Sequence, residues 1–122
     1  MKRFIQTSLL CLVLIVSVFA IAADTLVTPV ATATSTPVTE ACWFQGLALI
    51  TDGTNNVTLN IYDGTGVTTT RLIPTNSTIL GTDYRFGYKP PFPVRCSTGV
   101  HVTIAVAGGG TCAYQVFYSR VR

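Results

Sequence analysis

The chain has 122 residues, of which 48% are hydrophobic and only 11% are charged, and this length is that of a single domain. The formal net charge is +3, but two of the eight basic residues, Lys2 and Arg3, belong to the N-terminal segment. Residues 24–122 hold six basic and five acidic residues, and this near-neutral remainder lacks the positive field on which nucleic-acid binding depends.

The first 23 residues have the pattern of a secretory signal peptide. Two basic residues precede an apolar run over residues 9–23, and Ala20-Ile21-Ala22 is a small-x-small cleavage motif. We predict cleavage after Ala22 or Ala23 and an exported protein, located in the periplasm, at the cell surface, outside the cell or on a virion. The alternative is a retained membrane anchor, because residues 4–23 number about 20, enough to span a bilayer.

Residues 24–40 are rich in Thr, Val, Ala and Pro and show no helical period. Pro29 and Pro37 fix the backbone and interrupt any ladder of hydrogen bonds. We predict an extended arm or linker between the signal segment and the domain. The alternatives for such an arm are a stalk glycosylated on Thr, a segment that lies along a neighbouring subunit, and a disordered tether.

Residues 41–122 predict a β-sandwich domain, because short alternating segments are separated by turn signals at 8–12-residue spacing. Residues 41–51 are apolar at nearly every position, as expected of a central strand covered on both faces. Outside the N-terminal segment no window has a helical period. The predicted fold class is all-β, a single antiparallel β-sandwich or jelly roll of seven to eight short strands.

The C-terminal stretch Val100–Arg122 predicts a β-hairpin around Gly108-Gly109-Gly110. In that register Val106 pairs with Cys112 and Ile104 with Tyr114, so the apolar side chains share one face. The inward-facing residues predicted for the whole domain are Leu47, Leu49, Val57, Leu59, Ile61, Val102, Ile104, Tyr114 and Val116.

Three cysteines follow the signal segment, an odd number for an exported protein. Cys96 precedes the predicted hairpin and Cys112 lies past its tip, so about 25 Å of strand would separate them. If the strand over residues 41–51 runs antiparallel to the last strand, Cys42 reaches the Cys96 end. We therefore predict a Cys42–Cys96 disulfide and a buried Cys112 thiol. Three free thiols in a reducing compartment are the alternative.

The sequence contains no recognisable catalytic signature. His101 is the single histidine, and no cysteine or carboxylate spacing completes a metal site, so we predict no enzyme activity, no metal and no cofactor. Tyr62, Tyr84 and Tyr88 are candidates for a surface that binds a glycan or a host surface.

The succession LALITDGTNNVTLNIYDGTG, RLIPT and PPFPVRCSTGVHVTIAVAGGGTCAYQVFYSR resembles small β-sandwich proteins encoded in tailed-phage genomes. The resemblance covers residues 43–121 and concerns a turn-rich TDGT…DGT stretch, a proline-bounded loop and a closing glycine-containing hairpin. It implies a structural or virion-associated protein that self-assembles into a homo-oligomer or joins other structural subunits. The signal-like N-terminus and the cysteines at 42 and 96 depart from that pattern and fit an anchored or exported version.

Two functional hypotheses therefore follow from the sequence. The first is a structural or assembly protein, either a virion component or an envelope-surface subunit. The second is a secreted module that binds carbohydrate or a host surface through exposed aromatic side chains.

Overall fold

The computed structural model describes residues 25–73 and 77–122, which form two antiparallel β-sheets packed face to face. The predicted signal or anchor segment lies outside the described residues. The nine strands found in the described part are β1 (Leu26–Val27), β2 (Ser35–Val38), β3 (Cys42–Thr51), β4 (Val57–Asp63), β5 (Ser77–Ile79), β6 (Arg85–Tyr88), β7 (Val94–Cys96), β8 (Val100–Val106) and β9 (Cys112–Arg120).

The strands are divided between a sheet A and a sheet B. Sheet A has the order β1-β9-β3-β6, with β7 also paired to β3 beyond the end of β6. Sheet B has the order β2-β8-β4-β5. Every pairing is antiparallel, and the described elements include no α-helix. The prediction of an all-β, two-sheet antiparallel sandwich is confirmed.

The predicted C-terminal hairpin is wrong. β8 pairs with β4, where Ile104 lies opposite Leu59, whereas β9 pairs with β3 in the other sheet. The connection over Ala107–Gly109 is a short 3-10 turn with positive φ at Gly108 and Gly109, and it carries the chain from sheet B to sheet A. Alternation of apolar residues defines which face of a strand is buried, but it does not define which strand pairs with it. A connection that crosses between the two sheets therefore fits the same alternation as a hairpin within one sheet.

The facing of the side chains was predicted correctly even where the pairing was not. Eight of the nine predicted inward residues are buried, at 2% exposure or less, and only Ile104 is partly buried against the core. Their alternation along β4 and β9 places the apolar residues of both sheets in one layer. Burying each aliphatic side chain contributes about 1.5–3 kcal/mol, so this layer is the main source of stability.

The predicted arm is extended, and it pairs with its own domain. Leu26 lies opposite Tyr118 at the edge of sheet A, and Ser35 lies opposite Val102 at the edge of sheet B. Between them the chain crosses over Tyr114, whose hydroxyl donates to the Ala33 carbonyl at 2.8 Å and lies 2.6 Å from the Ser35 hydroxyl. Because that phenol proton is already donated, the Ser35 hydroxyl acts as donor to Tyr114. One buried side chain thus ties the segment of the arm just before and within β2 to the core.

Asp52 joins the β3–β4 turn to the β8–β9 connection. Its carboxylate accepts hydrogen bonds from the backbone N–H groups of Thr54, Asn55 and Thr111, at 2.8–3.0 Å. The bonds from Asn55, and then those from Thr54 and Thr111, hold the pKa of Asp52 well below its usual range. The carboxylate therefore serves the structure of the turns in its ionised form.

Candidate binding surfaces

The three candidate tyrosines do not share one surface. Tyr62 is only 5% exposed and lies on sheet B, with the Arg71 guanidinium 5.5 Å from its ring centroid. Tyr88 is half-buried on the inner side of sheet A, where its ring stacks on Phe44 at 6.3 Å. Tyr84 is 51% exposed in the turn before β6. A single aromatic platform built from all three is therefore not present.

Tyr84 and Tyr88 are each held by the local backbone. Tyr84 adopts a left-handed φ of 55°, which is uncommon for a residue other than glycine, and its carbonyl accepts from the Thr51 N–H at 2.9 Å. The Tyr88 hydroxyl donates to the Leu72 carbonyl at 3.0 Å. The Tyr88 side chain therefore has a structural role, whereas for Tyr84 the structure accounts for the backbone and leaves the side chain exposed.

Cys42 and Cys96 lie directly opposite each other on β3 and β7, and both are fully buried. All three cysteines of the described part are free thiols, and Cys112 lies opposite Thr51 at the far end of β3. The hydrogen bond with Cys96 lowers the pKa of Cys42, whereas that bond and burial raise the pKa of Cys96. Burial also raises the pKa of Cys112. Cys112 therefore lies at the opposite end of β3 from the Cys42–Cys96 pair.

The outer faces of the two sheets differ in chemistry. On sheet B the outward side chains of the two central strands are mainly polar, including Thr58, Asn60 and Thr103. Sheet A carries large apolar side chains on its outer face, with Arg85, Arg95 and Gln115 among them. We call the apolar members the sheet A outer surface: Val27, Val30, Trp43, Ala48, Ile50 and Phe117. The expectation that β3 is covered on both faces is wrong, because Trp43 is 37% and Ile50 46% exposed.

A groove of about 570 Å³ opens at this surface, beside the edge strand β6. Two glycines, Gly46 and Gly87, are among the residues that line it. Gly46 sits at a bulge in β3 with φ of 156°, and a side-chain carbon there would come within 2.5 Å of the Tyr88 carbonyl oxygen. Gly87 adds no side chain to the facing strand. The apolar ring of Phe117 and the ammonium of Lys89 complete the lining, together with Thr25, Gln45, Leu47 and Ala48.

A proline-rich loop leaves the sheet at the same place. β6 and β7 pair end to end along β3, so residues 89–93 form an excursion opposite the Gly46 bulge. Its Phe92 is 78% exposed, the highest value among the large hydrophobic residues of the described part. The Arg95 guanidinium that follows lies 5.8 Å from the Trp43 ring centroid. We call residues 89–95 the proline tip.

Sequence reasoning did not identify the sheet A outer surface or the groove as sites. The apolar residues at 48, 50 and 117 look the same in sequence whether a second layer covers them or not. The available signals were the exposed aromatic between prolines and the glycine inside β3, which is typical of a bulge.

Within residues 25–73 and 77–122 no three His, Cys, Asp or Glu side chains come close enough to hold a metal ion. No helix of that part is long and apolar enough to cross a membrane. Comparison with family models, curated proteins and solved structures found no match to this chain.

Proposed function

We propose that the chain is a non-enzymatic structural or assembly protein, a virion-associated or envelope-surface subunit that self-associates through its β-sandwich. The observation that supports this most is the uncovered, apolar sheet A outer surface on an otherwise well-packed domain. Large exposed apolar patches are typical of interaction surfaces. The outer face of sheet B is polar by comparison and is partly covered, since Tyr62 on it is buried beneath Arg71.

The strand order supports the same class by analogy. We propose that the sandwich is an eight-stranded jelly roll, which the orders β1-β9-β3-β6 and β2-β8-β4-β5 support if β7 continues the β6 position. Jelly rolls include viral capsid and lectin domains. A shared fold does not define a function, so this argument carries less weight than the surface.

We further propose that the protein is exported and that Cys42 and Cys96 form a disulfide in that oxidising compartment. In an antiparallel pair the two Cα atoms lie about 4.5 or 5.5 Å apart. Both values fall within the range that a disulfide spans, about 4.4–6.8 Å. The register of β3 and β7 is therefore compatible with the bond.

The alternative of a glycan-binding module has less support. Aromatic residues bind sugar rings when several are exposed together, but Tyr62 is buried and Tyr88 is half-buried. A glycan array that shows saturable binding, lost on Tyr84→Ala, would favour this alternative over assembly.

Paired charge substitutions test the assembly proposal. Ile50→Glu places a carboxylate on the sheet A outer surface, and Thr58→Glu places the same charge on the outer face of sheet B. Sedimentation velocity should show that Ile50→Glu dissociates the oligomer and that Thr58→Glu leaves it intact. An oligomer unaffected by Ile50→Glu but dissociated by Thr58→Glu would assign the interface to sheet B and overturn the proposed surface.

A further inference from the structure

The proline tip combines exposure with rigidity. Pro91, Phe92 and Pro93 are all exposed, while Pro90 is buried and anchors the loop to the domain. Proline fixes φ, so Phe92 is presented in a restricted backbone conformation before it meets any partner. Little conformational entropy remains to be lost on binding, which favours an exposed aromatic as a point of attachment.

The tip itself carries two basic side chains and no acidic one. Lys89 and Arg95 are exposed on it, whereas Asp63 near its C-terminal end already accepts a hydrogen bond from the Ser97 N–H at 3.0 Å. Within the described part, the ion pair that the structure shows for a basic residue is that of Arg120 with Glu40. Lys89 and Arg95 are therefore available to a partner that carries negative charge.

The backbone of the tip argues against a protein partner that adds a strand. Prolines at 90, 91 and 93 lack an N–H group, so the segment cannot extend a β-ladder. An aromatic side chain between cations is instead suited to a lipid surface, where the ring enters the interface and the cations meet anionic headgroups. Trp43, stacked by Arg95, is of the residue type that is enriched at that depth.

The first described residue supports the same orientation. Thr25 lines the groove together with Lys89, so the chain enters the domain beside the proline tip. An N-terminal membrane anchor, one of the two interpretations of residues 4–23, would thus join the domain on the side that carries the tip.

We propose that the proline tip docks the sandwich on an anionic lipid surface, with Phe92 inserted and Lys89 and Arg95 on the headgroups. The inference does not depend on self-association through the sheet A outer surface. Removing one cation should lower the ratio of docked to undocked protein about five-fold, and removing the phenyl ring should lower it about ten-fold or more.

The single tryptophan provides the readout, because Trp43 lies beside the tip. The full chain is incorporated into vesicles of phosphatidylcholine alone or mixed with phosphatidylglycerol, and quenching of Trp43 by brominated lipid is measured. Incorporation through residues 4–23 would occur in both lipids, so the difference in quenching reports docking of the domain. We expect strong quenching with the anionic lipid and weak quenching without it.

Matched variants make the result specific. Phe92→Ser and Lys89→Gln should lower quenching in anionic vesicles, whereas Val67→Ser, which removes an apolar side chain that is 68% exposed elsewhere, should leave it unchanged. Equal quenching in the two lipids, or equal effects of Phe92→Ser and Val67→Ser, would overturn the proposal. If Phe92→Ser instead lowers the mass of the oligomer without changing quenching, the tip contacts protein and the lipid proposal is wrong.

Discussion

Oxidation of Cys42 and Cys96 should stabilise the domain strongly. The two residues are opposed across β3 and β7 and have 53 residues between them. In the chain-entropy model a loop of that length contributes about 4 kcal/mol, because the unfolded chain loses freedom that the folded chain never had. That is a large part of the ~5–15 kcal/mol by which domains are typically stable.

The assay is urea unfolding of air-oxidised protein with and without reductant, followed by circular dichroism. Wild type should lose about 4 kcal/mol on reduction. A Cys42→Ala/Cys96→Ala variant should show no dependence on reductant, whereas Cys112→Ala should retain it. Non-reducing peptide mapping should join the segments around Cys42 and Cys96.

Two results would refute this reasoning. A bridge that contains Cys112 contradicts the structure, which places that residue at the other end of β3. Three thiols that all label after denaturation without reductant would mean that no bond forms, and would favour assembly in a reducing compartment over export.

Three further predictions concern stability. Leu59→Ala should cost about 2–5 kcal/mol and Ile104→Ala clearly less, because Leu59 is fully buried and Ile104 only partly; equal losses in urea unfolding would contradict the burial assigned to them. Tyr114→Phe should cost about 1 kcal/mol and increase hydrogen exchange in the arm near Ala33, since it removes the hydroxyl that ties the arm to the core. Because the pKa of Asp52 is lowered in the folded state, its ionised carboxylate stabilises the fold above about pH 4, and this contribution is lost as the pH falls toward the folded-state pKa. Asp52→Ala should therefore lower the free energy of unfolding at neutral pH and make that free energy depend less on pH in the acid range.

The architecture was largely predictable because alternation of apolar residues reports burial directly. Val57, Leu59 and Ile61 alternate with polar residues along β4, and the structure buries them as expected. Pairing was less predictable. Three consecutive glycines suit both a hairpin and an arch, and the choice depends on which strand lies beside β8 once the sheets form.

The candidate surfaces were less predictable than the fold. A strand that is apolar on both faces looks the same whether its outer face meets a second layer, a partner or solvent, so the exposure of Ile50 could not be derived from β3 alone. The groove is lined by Gly46, which has a positive φ, and by Gly87, which lies opposite Ala48 on the neighbouring strand. Both features arise from tertiary register, which local sequence does not determine.

The mass of the protein in solution tests the central claim most directly. Light scattering coupled to size-exclusion chromatography, on residues 24–122 over a range of concentrations up to tens of micromolar, should give a mass that is a multiple of the single chain and that falls on dilution. A monomer mass at every concentration would contradict self-association through the sheet A outer surface.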